Sequence, residues 1–367
     1  MTEPLLTLRQ LNRATLDRQL LLQRSLQPTL QAIAHLVGLQ AQSAPAPYIG
    51  LWTRLQGFSR NDLAREIAAR TVVKATMMRG TLHLVAANDY VQLRSTIQPV
   101  LAQAADSIAK RRAGADFDRE ELLSAATAYI EAQPRTFAEI SDFLAQEWPD
   151  RDIGAMRYTV RTHLPLVQIP ISTGWSYPGN PKFGLAESWL GQPISPTEHL
   201  RELVFRYLAA FGPATVADMQ TWSGFGKLKE LFERLRPELQ IYRDERKREY
   251  FDIPGIPLPD GDTPAPERFL PEYDNLLLSH AQRARIIADD YRAQVYLPGL
   301  RVRSTILVDG FVRGGWKVER SRKSVTLVIE PFATLTSQSR TGLAEEGEQL
   351  LHFVEPDATS LDIRFEA

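Results

Sequence analysis

The chain has 367 residues, 44% hydrophobic and 24% charged, with a formal net charge of -1 and no cysteine. This composition suits a globular protein large enough for two or three compact units, and it excludes disulfides, thiolate nucleophiles, iron–sulfur clusters and cysteine-ligated zinc. The near-zero charge argues against a nonspecific nucleic-acid coat protein, yet leaves room for a nucleic-acid enzyme whose cations line one cleft.

The six histidines, His35, His83, His163, His199, His280 and His352, include no pair at i, i+3 or i+4. No metal site or cofactor is therefore expected. No apolar run approaches a membrane span, and Met1-Thr2-Glu3-Pro4 lacks the basic and apolar character of an export signal. The expected location is cytoplasmic.

In chain order, Leu8-Arg9-Gln10-Leu11-Asn12-Arg13-Ala14 opens a helix whose apolar spacing runs through Leu20 and Leu21. A second helix follows Pro28, with Leu30, Ile33, Ala34 and Val37 on one stripe. It leads to Gly38-Leu39-Gln40-Ala41-Gln42, just before Pro45-Ala46-Pro47-Tyr48. In a helix, side chains at i and i+2 diverge, whereas an extended segment puts them on one face. Gly38 weakens the helix, and the prolines favour extension before them. The amides of Gln40 and Gln42 are thus expected to converge on one small object, each offering a carbonyl acceptor and an NH2 donor. For an arbitrary Gln-x-Gln, tying down the loop backbone is the commoner role.

Residues 49–55 and 62–69 read as helices, the second capped by Ser59 or Asn61. The period then changes from 3.6 to 2 over residues 72–78 and 81–85, two strands around Arg79-Gly80. Helices followed by a β-ribbon is the order of a winged helix. Helical segments over 87–110 close this unit.

The same order returns twice. After the charged stretch 111–118 come helices at 120–132, from the Thr136-Phe137-Ala138-Glu139 capping box, and at 153–163, then strands at 166–171 and around Trp175. Helices at 198–211, from Thr215-Val216-Ala217-Asp218, and at 227–235 precede a hairpin of 239–243 with 248–253. The echo of Pro134-Arg135-Thr136 in Gly212-Pro213-Ala214-Thr215 suggests one repeated module.

The expected fold is mainly α with β, an α+β chain of three tandem winged-helix modules at 1–115, 116–193 and 194–254. A proline-rich linker, 254–266, leads to a mixed α/β segment at 267–367. There Asp309-Gly310 between alternating runs predicts a type I′ hairpin. Helix over 344–353 and strand over 361–365 finish the chain.

These motifs, with Arg79-Gly80-Thr81-Leu82-His83-Leu84-Val85, Leu270-Pro271-Glu272-Tyr273-Asp274-Asn275 running on to His280, and Leu307-Val308-Asp309-Gly310 with Trp316, resemble the winged-helix DNA glycosylase superfamily of AlkZ and AlkX (YcaQ) over nearly the whole length. Each motif alone is weak, but their order is specific. The resemblance implies tandem winged helices around a DNA-sized cleft and a monofunctional glycosylase acting on N7-alkylated purines, in some members within interstrand crosslinks. The family's catalytic Gln-x-Gln falls on Gln40 and Gln42, the form of the AlkZ branch.

The implied partner is double-stranded DNA carrying alkylated purines, bound by a monomer that is nucleoid-associated when bound. Phosphate contacts need cations. The candidates are Arg79 and His83, which strand alternation aligns with Thr81, and Arg301, Arg303, Arg313, Lys317, Arg320, Arg322 and Lys323 near the Asp309-Gly310 hairpin. Solvated sheet surface is the alternative for any one arginine, and a satisfied structural residue the alternative for His83. A Schiff-base lyase would need a lysine at the glutamines. Lys74, the nearest, is expected to be structural or to meet phosphate. Glu272, Asp274 and Asn275 are expected to cap or fix a loop. The competing functions are a non-catalytic winged-helix regulator, which gives no reason for paired amides away from the wings, and an interaction scaffold.

Overall fold

The computed structural model describes residues 5–112, 115–321 and 324–366. Its contacts gather the chain into two compact units, one of Val37–Ala44 with Leu63–Leu203, the other of Met1–Leu36, Pro45–Asp62 and Val204–Ala367. This grouping differs from four consecutive spans, because short strands far apart in sequence join the same sheets. Among the described residues no helix is long and apolar enough to cross a membrane.

The first unit is built on a six-stranded sheet in the order Leu39–Gln40, Leu82–Ala86, Val72–Thr76, Leu166–Gln168, Lys182–Leu185 and Arg135–Thr136. The hairpins expected as two separate wings are therefore halves of one sheet, meeting at the Ala75–Val167 pair. Asp118, Thr136 and Asp152 cap the helices Arg119–Ala132, Phe137–Glu147 and Ile153–His163, each accepting hydrogen bonds from first-turn backbone N–H groups. Leu122, Ile130, Ile140, Leu144, Met156 and Val160 bury their apolar faces against Phe183. Ala87–Ala109 is one continuous helix with Pro99 inside it, not several segments. No strand forms around Trp175: Pro170, Gly174, Pro178, Gly179 and Pro181 interrupt the ladder until Lys182.

In the second unit, Thr7 and Gln10 form a capping box on the helix Leu8–Arg18. Just before it, Leu5–Leu6 pairs in parallel with Gln240–Asp244, the first strand of a hairpin with Glu249–Asp252. A five-stranded sheet runs Arg268–Leu270, Thr305–Val308, Phe311–Arg320, Val325–Pro331 and Leu361–Phe365. The helix Ser337–Val354 buries Leu343, Leu350 and Leu351.

Asp309 (φ 49°) and Gly310 (φ 78°) make the expected turn, both in the left-handed region that a type I′ hairpin needs. The turn sits on the first helix of its own unit. Asp309 accepts from Arg9 at 2.6 Å and from Arg13, while Asn12 Nδ2 donates to the Gly310 carbonyl at 2.8 Å. A Cβ on Gly310 would lie 2.6 Å from Asn12 Oδ1. Arg9, Asn12 and Arg13 thus form a socket for the hairpin turn.

Candidate active site

The site is assembled on the edge of the six-stranded sheet. Val37 (φ 55°) and Gly38 (φ 88°) turn the chain sharply into the strand Leu39–Gln40. Positive φ in a β-branched valine is a strained conformation. At Gly38 a Cβ would lie 2.5 Å from Val85 Cγ1 and 2.9 Å from the Leu84 carbonyl oxygen, so a side chain is excluded sterically as well as conformationally.

Gln40 pairs with His83, and the Ala41 N–H donates to the Leu82 carbonyl at 2.8 Å. That flanking bond makes Gln40–His83 a non-hydrogen-bonded pair, the kind whose side chains lie closest on a shared face. Gln40 is buried, with 6% of its surface exposed, whereas Gln42 is exposed. The two do not share one extended run as expected. The strand stops at Gln40 and Gln42 lies in a bend, because residues 42–45 turn the chain into the helix Ala46–Trp52, which opens just after Pro45.

Arg79 reaches back to this strand. Residues Met78–Gly80 form a 3-10 turn with Arg79 itself left-handed (φ 56°), so the expected alternation of Arg79 with Thr81 and His83 is broken. Its Nη2 donates to Gln40 Oε1 at 2.7 Å. Arg161, which the sequence gives no reason to single out, holds this turn from below, its Nε 3.4 Å from Thr76 Oγ1 and its Nη2 3.4 Å from the Gly80 carbonyl.

His83 is fully buried and has no surface for a phosphate. Its Nδ1 lies 3.1 Å from the Thr81 carbonyl, which fixes that nitrogen as the donor, and Nε2 has no partner among the described residues. Burial, helped by the Arg79 charge, pushes its pKa down to about 3. Burial likewise lowers Lys74 to about 8, with its ammonium 5.0 Å from the Tyr177 ring. Lys74 pairs with Leu84, the partner of Leu39, and so occupies the face opposite Gln40. A lysine there is turned away from the Gln40 amide.

In the other unit, His280 is also buried and lowered to about 3 by desolvation and the neighbouring Arg285. An unfolded chain protonates both imidazoles near pH 6.5, whereas the fold resists until about pH 3. Stability is therefore present above pH 6.5 and is lost as pH falls through this window, by about 2 kcal/mol per histidine between pH 7 and pH 5. Urea unfolding at the two pH values checks this, and His83→Gln should remove one histidine's share. An unchanged unfolding free energy would show imidazoles that are protonated within the fold.

The remaining cations expected at DNA belong to the second unit. Arg301 is exposed, with Nε donating to the Pro298 carbonyl at 3.1 Å, and Arg313 is exposed. Arg303 is paired with Glu330; Lys317 lies 3.0 Å from Glu330 and 3.2 Å from Glu319; Arg320 lies 2.6 Å from Glu355. Arg322 and Lys323 fall outside the described residues. Three cations of the basic cluster read from the sequence, Arg303, Lys317 and Arg320, are thus paired with nearby glutamates.

Asp274 caps the helix Asn275–Leu278, accepting from the Leu276 N–H at 3.0 Å. It also takes both outer nitrogens of the buried Arg54, at 2.7 and 2.8 Å.

Comparison with known proteins brings this architecture to a family. A curated relative, the interstrand DNA cross-link repair glycosylase of Streptomyces sahachiroi, is 24% identical over 342 residues, covering 86% of this chain and 88% of the relative. The solved structure of the Streptomyces sahachiroi DNA glycosylase AlkZ superposes with a TM-score of 0.78 at 19% identity, covering 99% of this chain and all of that one. The model of the AlkZ-like DNA glycosylase family matches residues 33–353. The chain belongs to the AlkZ-like DNA glycosylases.

Proposed function

We propose that this DNA glycosylase is monofunctional and hydrolyses the N-glycosidic bond of N7-alkylated purines in double-stranded DNA, including purines tethered in interstrand crosslinks. Gln40 and Gln42 position the attacking water. The carrying observation is a neutral amide, Gln40, buried at a sheet edge with its oxygen tied to Arg79, and a second glutamine exposed two residues on.

N7 alkylation leaves the purine cationic and already a good leaving group, so C1′ moves towards an oxocarbenium ion without protonation of the base. The protein then has to place a water on C1′, which is positioning rather than strong base catalysis. Neutral amides suit that task, and unmodified purines lack the activation. A base tethered to the other strand cannot swing freely from the duplex, so selectivity rests on leaving-group chemistry rather than on enclosure of the base. Lys74, on the opposite face from Gln40, supports hydrolysis without lyase chemistry.

Phosphate contact near the C-terminal hairpin falls to Arg313 on the hairpin and Arg301 just before it, neither of which has a carboxylate partner among the described residues. Arg303 and Lys317 would have to leave Glu330 first. The repeats at 1–115, 116–193 and 194–254 are read as winged-helix modules of a monomer acting on DNA in the cytoplasm. Membership in a glycosylase family removes the case for a non-catalytic regulator.

The test is base release from a duplex carrying one N7-methylguanine, with enzyme in excess. Gln40→Ala and Gln42→Ala should each slow release by about a hundredfold while duplex affinity is kept. Release at the wild-type rate from both variants would remove the glutamines from the chemistry. A crosslinked duplex, unhooked by the wild type, tests the wider substrate range.

A further inference from the structure

We infer that Arg79 is a positioning residue for hydrolysis: by holding Gln40 Oε1 it fixes which way round the Gln40 amide lies at the site. This rests on the reading that Gln40 orients the water.

A carboxamide has two ends of almost equal size and opposite hydrogen-bonding sense. Rotating Gln40 by half a turn about its last bond would exchange acceptor for donor at the water with no change in packing. Arginine carries only donors, so a 2.7 Å contact to Arg79 Nη2 selects the oxygen and sets the orientation. Because the donor is charged, the bond is stronger than a neutral one. It also draws electron density from the carbonyl, which makes the amide N–H groups better donors.

The surroundings hold Arg79 to this task. Its backbone is left-handed, an unfavourable state for a residue with a side chain, and Gly80 after it is left-handed too. Arg161 sits under the turn on Thr76 and the Gly80 carbonyl, with Nε and Nη2 each at 3.4 Å, and is itself largely buried. A Cβ on Gly80 would lie 3.4 Å from the Tyr158 hydroxyl. A flexible surface arginine recruited for phosphate needs none of this support. Gln40 also faces His83, whose Nδ1 is fixed on the Thr81 carbonyl, while a charged group, Arg79, meets the Gln40 amide at its oxygen.

The experiment is a double-variant cycle with Arg79→Met, Gln40→Ala and the combined variant. Base release from the N7-methylguanine duplex is followed at saturating enzyme, and affinity for an unmodified duplex is measured across a salt series. The inference expects Arg79→Met to release base about a hundredfold more slowly, with affinity and salt dependence unchanged. The combined variant should be no slower than Gln40→Ala alone, because an arginine that acts only through Gln40 has nothing to act on once the amide is gone. Arg79→Lys, which keeps one donor and the charge, should recover part of the rate.

Wild-type release by Arg79→Met, with weaker binding and a salt slope reduced by about one, would overturn the inference in favour of a phosphate contact. Fully multiplied losses in the combined variant would overturn it in favour of an independent or merely structural role. If Gln40→Ala itself released base at the wild-type rate, the water-holding reading would fall, whereas a slow Gln40→Ala beside a fast Arg79→Met removes Arg79 alone. Should Arg79→Met not fold, Arg79→Ala, which also carries no donor, takes its place in the same cycle.

Discussion

Asp274→Ala is expected to lower the free energy of unfolding by about 3–5 kcal/mol, the loss typical of breaking one side of a buried ion pair. Arg54 and Asp274 are each about 1% exposed at the side chain, joined through two nitrogens at 2.8 and 2.7 Å. Removing the carboxylate strands a guanidinium that, among the described residues, keeps the Gly50 carbonyl at 2.9 Å and a long contact to Gln19. It also uncaps the helix Asn275–Leu278. Arg54→Met with Asp274→Leu removes both charges and should unfold with a midpoint nearer the wild type than Asp274→Ala does. Chemical denaturation of the three proteins decides it, and a single variant as stable as the double one would mean that solvent reaches the pair.

Gly38→Ala should slow base release by about a hundredfold while the protein still binds DNA. The Cβ would meet the Leu84 carbonyl oxygen at 2.9 Å and Val85 Cγ1 at 2.5 Å, in a backbone conformation that disfavours any side chain. Val85 can move, but the Leu84 carbonyl belongs to the ladder and cannot. The strand Leu39–Gln40 would therefore shift outward, carrying Gln40 from His83 and Arg79. Displacement of a positioning group by about 1 Å is enough for that loss of rate. Single-turnover release beside duplex affinity measures it, and unchanged release would mean that the edge strand relaxes without moving the amide.

What the sequence made legible was the chemistry of chain ends and turns. Thr136 with Glu139, Thr215 with Asp218, and Asp309-Gly310 carry their geometry in adjacent residues, so local reading suffices for them. The helix Ile153–His163 was read with the bounds it has, although its Asp152 cap was not noticed. Gln40 and Gln42 stood out because amides between a glycine and two prolines have no obvious packing role, yet the bend that separates them depends on the helix that follows.

Pairings between distant residues were not legible. Nothing in two leucines at positions 5 and 6 announces a strand beside residues 243 and 244. Arg13, Arg18, Arg54 and Arg285 look in sequence like surface cations but are buried on Asp309, Asp252, Asp274 and Asp218. A charge is hidden or exposed according to a partner tens to hundreds of residues away. Arg303, Lys317 and Arg320 near the C-terminal hairpin were misplaced in the same way, since their charge is visible in the sequence but their pairing with Glu330, Glu319 and Glu355 is not. Arg79 was singled out for its charge, while its bond to Gln40 depends on a 3-10 turn that strand periodicity does not reveal.

The interleaving of the two units bears on how the chain is made. Residues 5–36 and 45–62 meet each other at the Ser25–Leu55 bridge, but Leu5–Leu6, Asn12, Arg13 and Arg18 reach their distant partners only after residue 204 has been synthesised, so for several seconds at about 5–20 residues per second they leave the ribosome without them. Leu63–Leu203, nearly a whole unit in one stretch, lacks only the edge strand already emerged ahead of it. The order of translation thus favours closing the strand Leu39–Gln40 onto its sheet first, while Asn12 and Arg13 of the opening helix wait in water for the last third of the chain.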